Sequence, residues 1–178
     1  QSLLNNIFPE KQIKAITNGV NSLFWTAPEF KELYDRHIEG WKNNNELLKL
    51  ANKIPSNEIW IAHQKSKQRL LEFINKKQKA KWREDVFTIG FARRFTNYKQ
   101  PLLLFSDIDR LIDVLEASGD AQIVIAGKAH RRDKSGKEAI QKIYQIKKDY
   151  AKLKIVFLEN YNLDLAQLLV AGVDIWLN

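Results

Sequence analysis

Val86-Phe87-Thr88-Ile89-Gly90-Phe91 runs straight into Ala92-Arg93-Arg94-Phe95-Thr96-Asn97-Tyr98-Lys99, an apolar strand followed by a cationic loop. The strand is short, rich in β-branched residues and almost continuously apolar, which suits burial on both faces. The pattern recurs. Gln122–Ala126, Lys154–Leu158 and Val173–Leu177 read as three further strands. Helical stretches at about Gln100–Ala117, Ser135–Tyr150 and Leu163–Ala171 separate them. Alternation at this spacing predicts an α/β fold with a parallel sheet and right-handed crossovers.

Outward toward the N-terminus, residues 1–84 read as helices and turns. Thr26-Ala27-Pro28-Glu29 has the form of a capping box with proline in the first turn. The helix it starts is predicted to run to about Glu39, with Gly40 as its stop. Asn43-Asn44-Asn45 is a turn, a short helix follows to about Lys53, and Pro55-Ser56 opens a long helix from about Asn57 to Lys81. Its apolar positions Ile59, Ala62, Leu70, Phe73 and Ile74 have helical spacing.

The chain has 178 residues, enough for one domain or for one domain and part of another. A hydrophobic content of 44% supports a packed core. There is no cysteine, which excludes disulfides and thiolate metal sites and makes a reducing cytoplasm the simplest home. No apolar run approaches the roughly 20 residues of a membrane span. The lack of methionine, the start at Gln1 and the closing apolar run Val173–Asn178 predict a segment of a longer chain. A net charge of +8 points to anionic partners without choosing among them.

In an open parallel sheet, ligands sit outside the carboxyl ends of the strands. Three loops are expected there: Ala92–Lys99, Gly127–Asp133 and Glu159–Asn162. The first two carry Arg93, Arg94, Lys99, Lys128, Arg131 and Arg132. Arginine grips phosphate with a planar fork, lysine adds a point charge, and the helix N-termini that follow add N–H donors. A phosphate-like anion is therefore expected on that edge. There is no G-x-G-x-x-G and no Walker loop, so a dinucleotide or P-loop nucleotide is poorly supported. The basic run Lys65, Lys67, Arg69, Lys76, Lys77, Lys79, Lys81 and Arg83 could be a nucleic-acid stripe, but it reads first as a solvated helix face. Its interleaved aromatics are few. His37, His63 and His130 lack metal-site spacing, and no metal is expected. Only His130 falls in a candidate ligand loop, where it is a candidate substrate contact.

Four motifs in order carry a family resemblance. They are Thr17-Asn18-Gly19-Val20 with Trp25, then Gly90–Lys99, Ile125–His130 and Val156–Ala166. Together they resemble the α-glucan (glycogen, starch, maltodextrin) phosphorylases, in particular the shorter bacterial and archaeal type. The resemblance implies a GT-B-type fold of two Rossmann-like domains facing a cleft. Residues 85–178 would open the C-terminal domain, and residues 1–84 would be the helical end of the N-terminal domain and its connector. It implies phosphorolysis of an α-1,4-glucan by inorganic phosphate, releasing glucose 1-phosphate with retention. It also implies pyridoxal 5′-phosphate, working through its phosphate group.

By position, the resemblance makes Arg94 the binder of substrate phosphate and sets Lys99 near the substrate and cofactor phosphates. Asn18 would bond the glucosyl unit and Trp25 would line the cofactor pocket. Arg93, Tyr161 and Asn162 would lie around the cofactor. The cofactor lysine would lie outside this chain, so the segment alone is expected to be inactive. Family members are often dimeric, so a homodimeric parent is a candidate, while no membrane or nucleic-acid partner is expected. Asn21, Gln100-Pro101 and Arg131 depart from the usual pattern at flanking positions. Two rivals stay open: a nucleotide-sugar-dependent, glycogen-synthase-like transferase, and a basic nucleic-acid-binding module.

Overall fold

The computed structural model describes residues 6–11 and 14–177. Four strands form one parallel sheet in the order β3-β2-β1-β4. They are β1 (Phe87–Phe95), β2 (Ala121–Ala129), β3 (Lys154–Leu158) and β4 (Ile175–Leu177). The helices are α1 (Ser22–Trp25), α2 (Pro28–His37), α3 (Ser56–Gln78), α4 (Ile108–Ser118), α5 (Lys134–Asp149) and α6 (Leu163–Gly172). The 3-10 segments among the described residues are Asn45–Lys53, Asn97–Lys99 and Leu103–Phe105.

The near-continuous apolar strands are explained by a sheet covered on both faces. Ile123, Ile125, Ile155 and Phe157 point to one side and pack with Phe95, Ile143 and Ile146. Val124, Ala126, Val156 and Leu158 point to the other and pack with Leu70, Ile74, Leu165 and Leu169 of α3 and α6. Side chains alternate across a strand, so each strand feeds both cores. A third, smaller core around Leu33, Ile38, Trp41, Ile54 and Ala62 joins α2 and the Asn45–Lys53 segment to the start of α3.

Several expected boundaries move. β1 and β2 are each longer than predicted and pair from Phe87↔Ala121 to Phe95↔Ala129. Arg93, Arg94, Lys128 and Ala129 are thus paired strand residues, because each strand gives the other a ladder partner past the apolar run. The stretch Gln100–Ala117 is not one helix. Gln100 adopts a positive φ of 48° before Pro101, and α4 starts only at Ile108, where the Asp107 carboxylate accepts from Arg110 N. β4 is three residues rather than five, and α3 stops at Gln78, with Lys79 in the left-handed region.

The Thr26 capping box does not form. The Thr26 hydroxyl donates back to Ser22 O, closing α1, and Ala27 precedes α2 without a side-chain cap. Glu29 is drawn away to α3, where it accepts from Ser66 Oγ at 2.9 Å and pairs with Arg69. Lys67 corrects the solvated-face reading of α3. It is 3% exposed, and its ammonium donates to Val86 O and to Asp174 Oδ2.

Candidate functional site

The chain order builds a crevice. From β1 it moves outward to β2 and β3, then returns to place β4 on the opposite side of β1. The carboxyl ends of β1 and β4 therefore flank the point where the winding reverses, the usual ligand position in open α/β sheets. A cavity of about 480 Å³ lies there, lined by Phe91, Arg93, Tyr98, Lys99, Leu104 and Leu177 among others.

The pleat of β1 separates the two arginines. Arg93 shares a face with Phe91 and Phe95 and is half-buried in the cavity wall. Arg94, one residue on, is exposed and follows Ala92 onto the other face, the one that Tyr161 packs against. The structure brings Arg93 and Lys99 together and sets Arg94 across the strand from them. Lys99 comes from the short turn Asn97–Lys99, with its ammonium 4.8 Å from the centre of the exposed Tyr98 ring. Among the described residues, no carboxylate forms an ion pair with Arg93, Arg94, Lys99 or Lys128. Four cations on one edge, none of them ion-paired among the described residues, make a positive rim.

Two glycines fix the end of β1. A Cβ on Gly127 would lie 2.2 Å from Arg93 O and 2.5 Å from the Phe95 ring. A Cβ on Gly136, at the start of α5, would lie 2.4 Å from Phe95 O. Phe95 is fully buried, so strand and helix close on it from both sides and hold the arginine backbone in place. Beside it, the Thr96 hydroxyl oxygen is buried with no hydrogen-bond partner among the described residues. The sequence reading did not single out Thr96, and nothing in its local pattern marks it.

The second loop is braced by Asp133. Its carboxylate accepts from Gly136 N and Ser135 Oγ, both at 2.8 Å, capping α5. The Gly136 N–H and then the Ser135 hydroxyl hold its pKa below the ordinary 3.8. His130 is exposed and accepts from Arg132 N through Nδ1 at 3.2 Å, leaving Nε2 directed to other partners. In the third loop, Tyr161 is half-buried, and burial raises its phenol pKa. Asn162 spends its side-chain oxygen on Leu165 N at 2.9 Å as the N-cap of α6.

Asn18 and Trp25 belong to the N-terminal stretch. Asn18 is exposed in an irregular segment, and Trp25 is half-buried at the end of α1, edge-on to Phe24 at 5.2 Å. That stretch touches the sheet unit through Gln167 of α6, whose amide donates to Phe24 O. No hydrogen bond among the described residues links Asn18 or the Trp25 side chain to the strand edge. The described residues hold no cluster of acidic or histidine side chains fit for a metal. None of their helices is long and apolar enough to cross a membrane.

Comparison with known proteins adds a separate line. The family model described as carbohydrate phosphorylase matches residues 2–176. A maltodextrin phosphorylase of Thermococcus litoralis is 37% identical, over 95% of this chain and 22% of its own length. A glycogen phosphorylase of Aquifex aeolicus is 36% identical, over 97% of this chain and 28% of its own length. A glycogen phosphorylase of Mycobacterium tuberculosis is 30% identical, over 95% and 22%. The chain thus spans about a quarter of the length of these relatives.

Proposed function

The chain belongs to the carbohydrate phosphorylase family, and we propose that it supplies the phosphate-handling edge of an α-1,4-glucan phosphorylase. The enzyme would cleave glycogen or maltodextrin with inorganic phosphate and release glucose 1-phosphate with retention. Residues 85–178 would open its Rossmann-like C-terminal domain within a GT-B arrangement. Residues 1–84 would end the N-terminal domain and connect the two.

The observation that carries this reading is the group Arg93, Arg94 and Lys99 at the end of β1, free of carboxylate partners among the described residues. Bond cleavage beside a phosphate nucleophile leaves charge that fixed cations stabilise without reorganising. Arg94 would hold the substrate phosphate through its fork, which a lysine could not imitate. Lys99, leaning on Tyr98, would offset charge between neighbouring phosphates. Asn18 and His130 would contact glucosyl hydroxyls.

The residues also fit pyridoxal 5′-phosphate. Arg93 and Lys99 give the cavity cationic walls, the buried Thr96 hydroxyl next in the chain lacks a partner among the described residues, and Tyr161 offers a half-buried ring on the other face of β1. Arg93, Lys99, Tyr161, Asn162 and Trp25 would surround the group. When bound, it supplies a phosphate that exchanges protons with the substrate phosphate.

The test is phosphorolysis by the full-length enzyme that contains this segment. Glucose 1-phosphate is expected from maltodextrin and phosphate, and turnover of UDP- or ADP-glucose in its place would favour the nucleotide-sugar rival. The 178-residue chain alone is expected to release none.

A further inference from the structure

Asparagines in this chain are mostly tied down. Asn21, Asn44 and Asn162 spend their side-chain oxygens on backbone N–H groups. Asn45 accepts from the Ser22 hydroxyl, and Asn75 grips both the N–H and the carbonyl of Trp82. Asn43 and Asn57 are exposed, but the backbone N–H that follows each is engaged. Asn44 N donates to Gly40 O at 3.2 Å and Glu58 N to Pro55 O at 3.0 Å. Asn18 differs on every count. It is exposed, lies in an irregular segment and is followed by glycine, the one Asn-Gly pair in the chain. Among the described residues, no hydrogen bond holds its side-chain amide or the N–H of Gly19. Even the space a Cβ on Gly19 would occupy is open, with no atom within 4 Å.

This arrangement permits a reaction of the chain with itself. The Gly19 backbone nitrogen can reach the Asn18 side-chain carbonyl carbon and close a five-membered ring. Glycine lets the backbone turn into the required conformation and puts no side chain in the path. The nitrogen gives its proton to water, and its electron pair forms the bond to Cγ. The Cγ–Nδ2 bond breaks and the amide leaves as ammonia, giving a cyclic imide. Water then opens the ring at one of its two carbonyls. Opening at Cγ leaves an aspartyl residue, and opening at the backbone carbonyl leaves an isoaspartyl link. The sum is amide plus water to carboxylic acid plus ammonia, with no oxidant or reductant.

Either product changes what the position can recognise. An amide both donates and accepts, whereas a carboxylate only accepts. The isoaspartyl link also carries the main chain through Cβ and Cγ, which lengthens it by a methylene and displaces the polar group. We propose that Asn18 is a self-modification site, converting to aspartyl and isoaspartyl faster than the other asparagines of the chain and so removing a glucosyl contact as the protein ages. The chemistry stands on Asn18 and Gly19 alone, while its effect on activity rests on the phosphorolysis reading.

Peptide mapping by mass spectrometry of the 178-residue chain, incubated in mildly alkaline buffer, tests it. The peptide holding Asn18 should gain the single mass unit of an NH2-for-OH exchange and split into aspartyl and isoaspartyl forms. Hydroxylamine, which attacks the imide, should cut the chain between Asn18 and Gly19. Gly19→Val should slow conversion about tenfold or more, since a β-branched side chain obstructs the attack. The added side chain points into open space, and circular dichroism checks that the fold is kept. Conversion of Asn18 no faster than that of Asn43 or Asn57, or conversion indifferent to Gly19→Val, overturns the site.

Full-length enzyme aged in the same buffer tests the consequence. Its release of glucose 1-phosphate should fall in step with the converted fraction, and maltoheptaose present during ageing should slow both. No conversion in the full-length enzyme, or conversion with activity intact, overturns the loss of a glucosyl contact. Fresh enzyme that releases no glucose 1-phosphate sinks the phosphorolysis reading instead and leaves the modification, read by mass, standing.

Discussion

The ammonium of Lys67 lies 2.6 Å from the carboxylate of Asp174, 107 residues later in the chain. The pair joins the middle of α3 to the approach to β4, and their side chains are 4% and 8% exposed. Asp174 also accepts from Thr88 N, and its own N–H donates to Thr88 O at 2.9 Å. Removing one partner strands a buried charge. Asp174→Ala is expected to cost about 3–5 kcal/mol, read as a lower urea midpoint at unchanged slope. A loss below about 1 kcal/mol would mean that the site relaxes or admits water.

Acid should act through the same group. Burial is the largest influence on the Asp174 carboxyl and pushes its pKa up. Hydrogen bonds from His63, Lys67 and Thr88 N together outweigh it, and the net shift is downward from 3.8. A lowered folded-state pKa means the unfolded chain binds the proton first. The contribution is complete above the ordinary value and is lost as pH falls from about 3.8 through the lowered one. Tyr144 acts at the other extreme. Burial, then its bond to Glu159, pushes its phenol up to about 12 from 10.0. Its contribution is complete below pH 10 and fades as pH rises through about 12. Unfolding midpoints across pH should show the acid loss shrink in Asp174→Asn, with Asp133 and other lowered carboxylates supplying the rest, and the alkaline loss shrink in Tyr144→Phe.

Gly127 and Gly136 admit no methyl group. The atoms in the way are the Arg93 and Phe95 carbonyls, which are backbone and cannot swing aside. Either Gly→Ala change should destabilise by about 1–3 kcal/mol or more through overpacking. Gly19→Ala meets nothing within 4 Å and should stay within about 0.5 kcal/mol. Thermal melts of the three variants would separate them, and equal melting temperatures would refute the clamp on Phe95.

Arg94 is exposed, so Arg94→Ala should change stability by no more than about 0.5 kcal/mol. In the full-length enzyme it should lower kcat/KM for phosphate by about 10²–10³, the scale of removing one charge-stabilising donor. Arg94→Lys should recover little of it. Asn162→Ala should lower stability by about 1 kcal/mol as a lost helix cap, a cost that Arg94→Ala does not carry. Steady-state kinetics beside unfolding curves for both variants would tell phosphate handling from architecture.

The alternating apolar strands and helices made the parallel sheet legible, since a doubly covered sheet writes itself as continuous runs such as Ile123–Ala126. The loops at the carboxyl ends were found the same way. Strand ends were not, because ladder pairing between Arg93–Arg94 and Gly127–Lys128 depends on the partner strand and leaves no local pattern. The role of Lys67 was hidden in a run of basic residues that otherwise face water. Asp174, a lone acid in Val173-Asp174-Ile175-Trp176, was the available signal that a buried cation waited elsewhere. Thr26 and Glu29 show the limit of local motifs. Both residues of the capping box were present, and tertiary partners took each of them.

The opposite facing of Arg93 and Arg94 carries a consequence for how this chain can vary in length. A single residue inserted or deleted within β1 would exchange their faces and turn the wholly buried Phe95 toward solvent. Indels should therefore be barred from Phe87–Phe95 and accumulate between Asn97 and Asp107, where short turns can absorb them without moving the arginines.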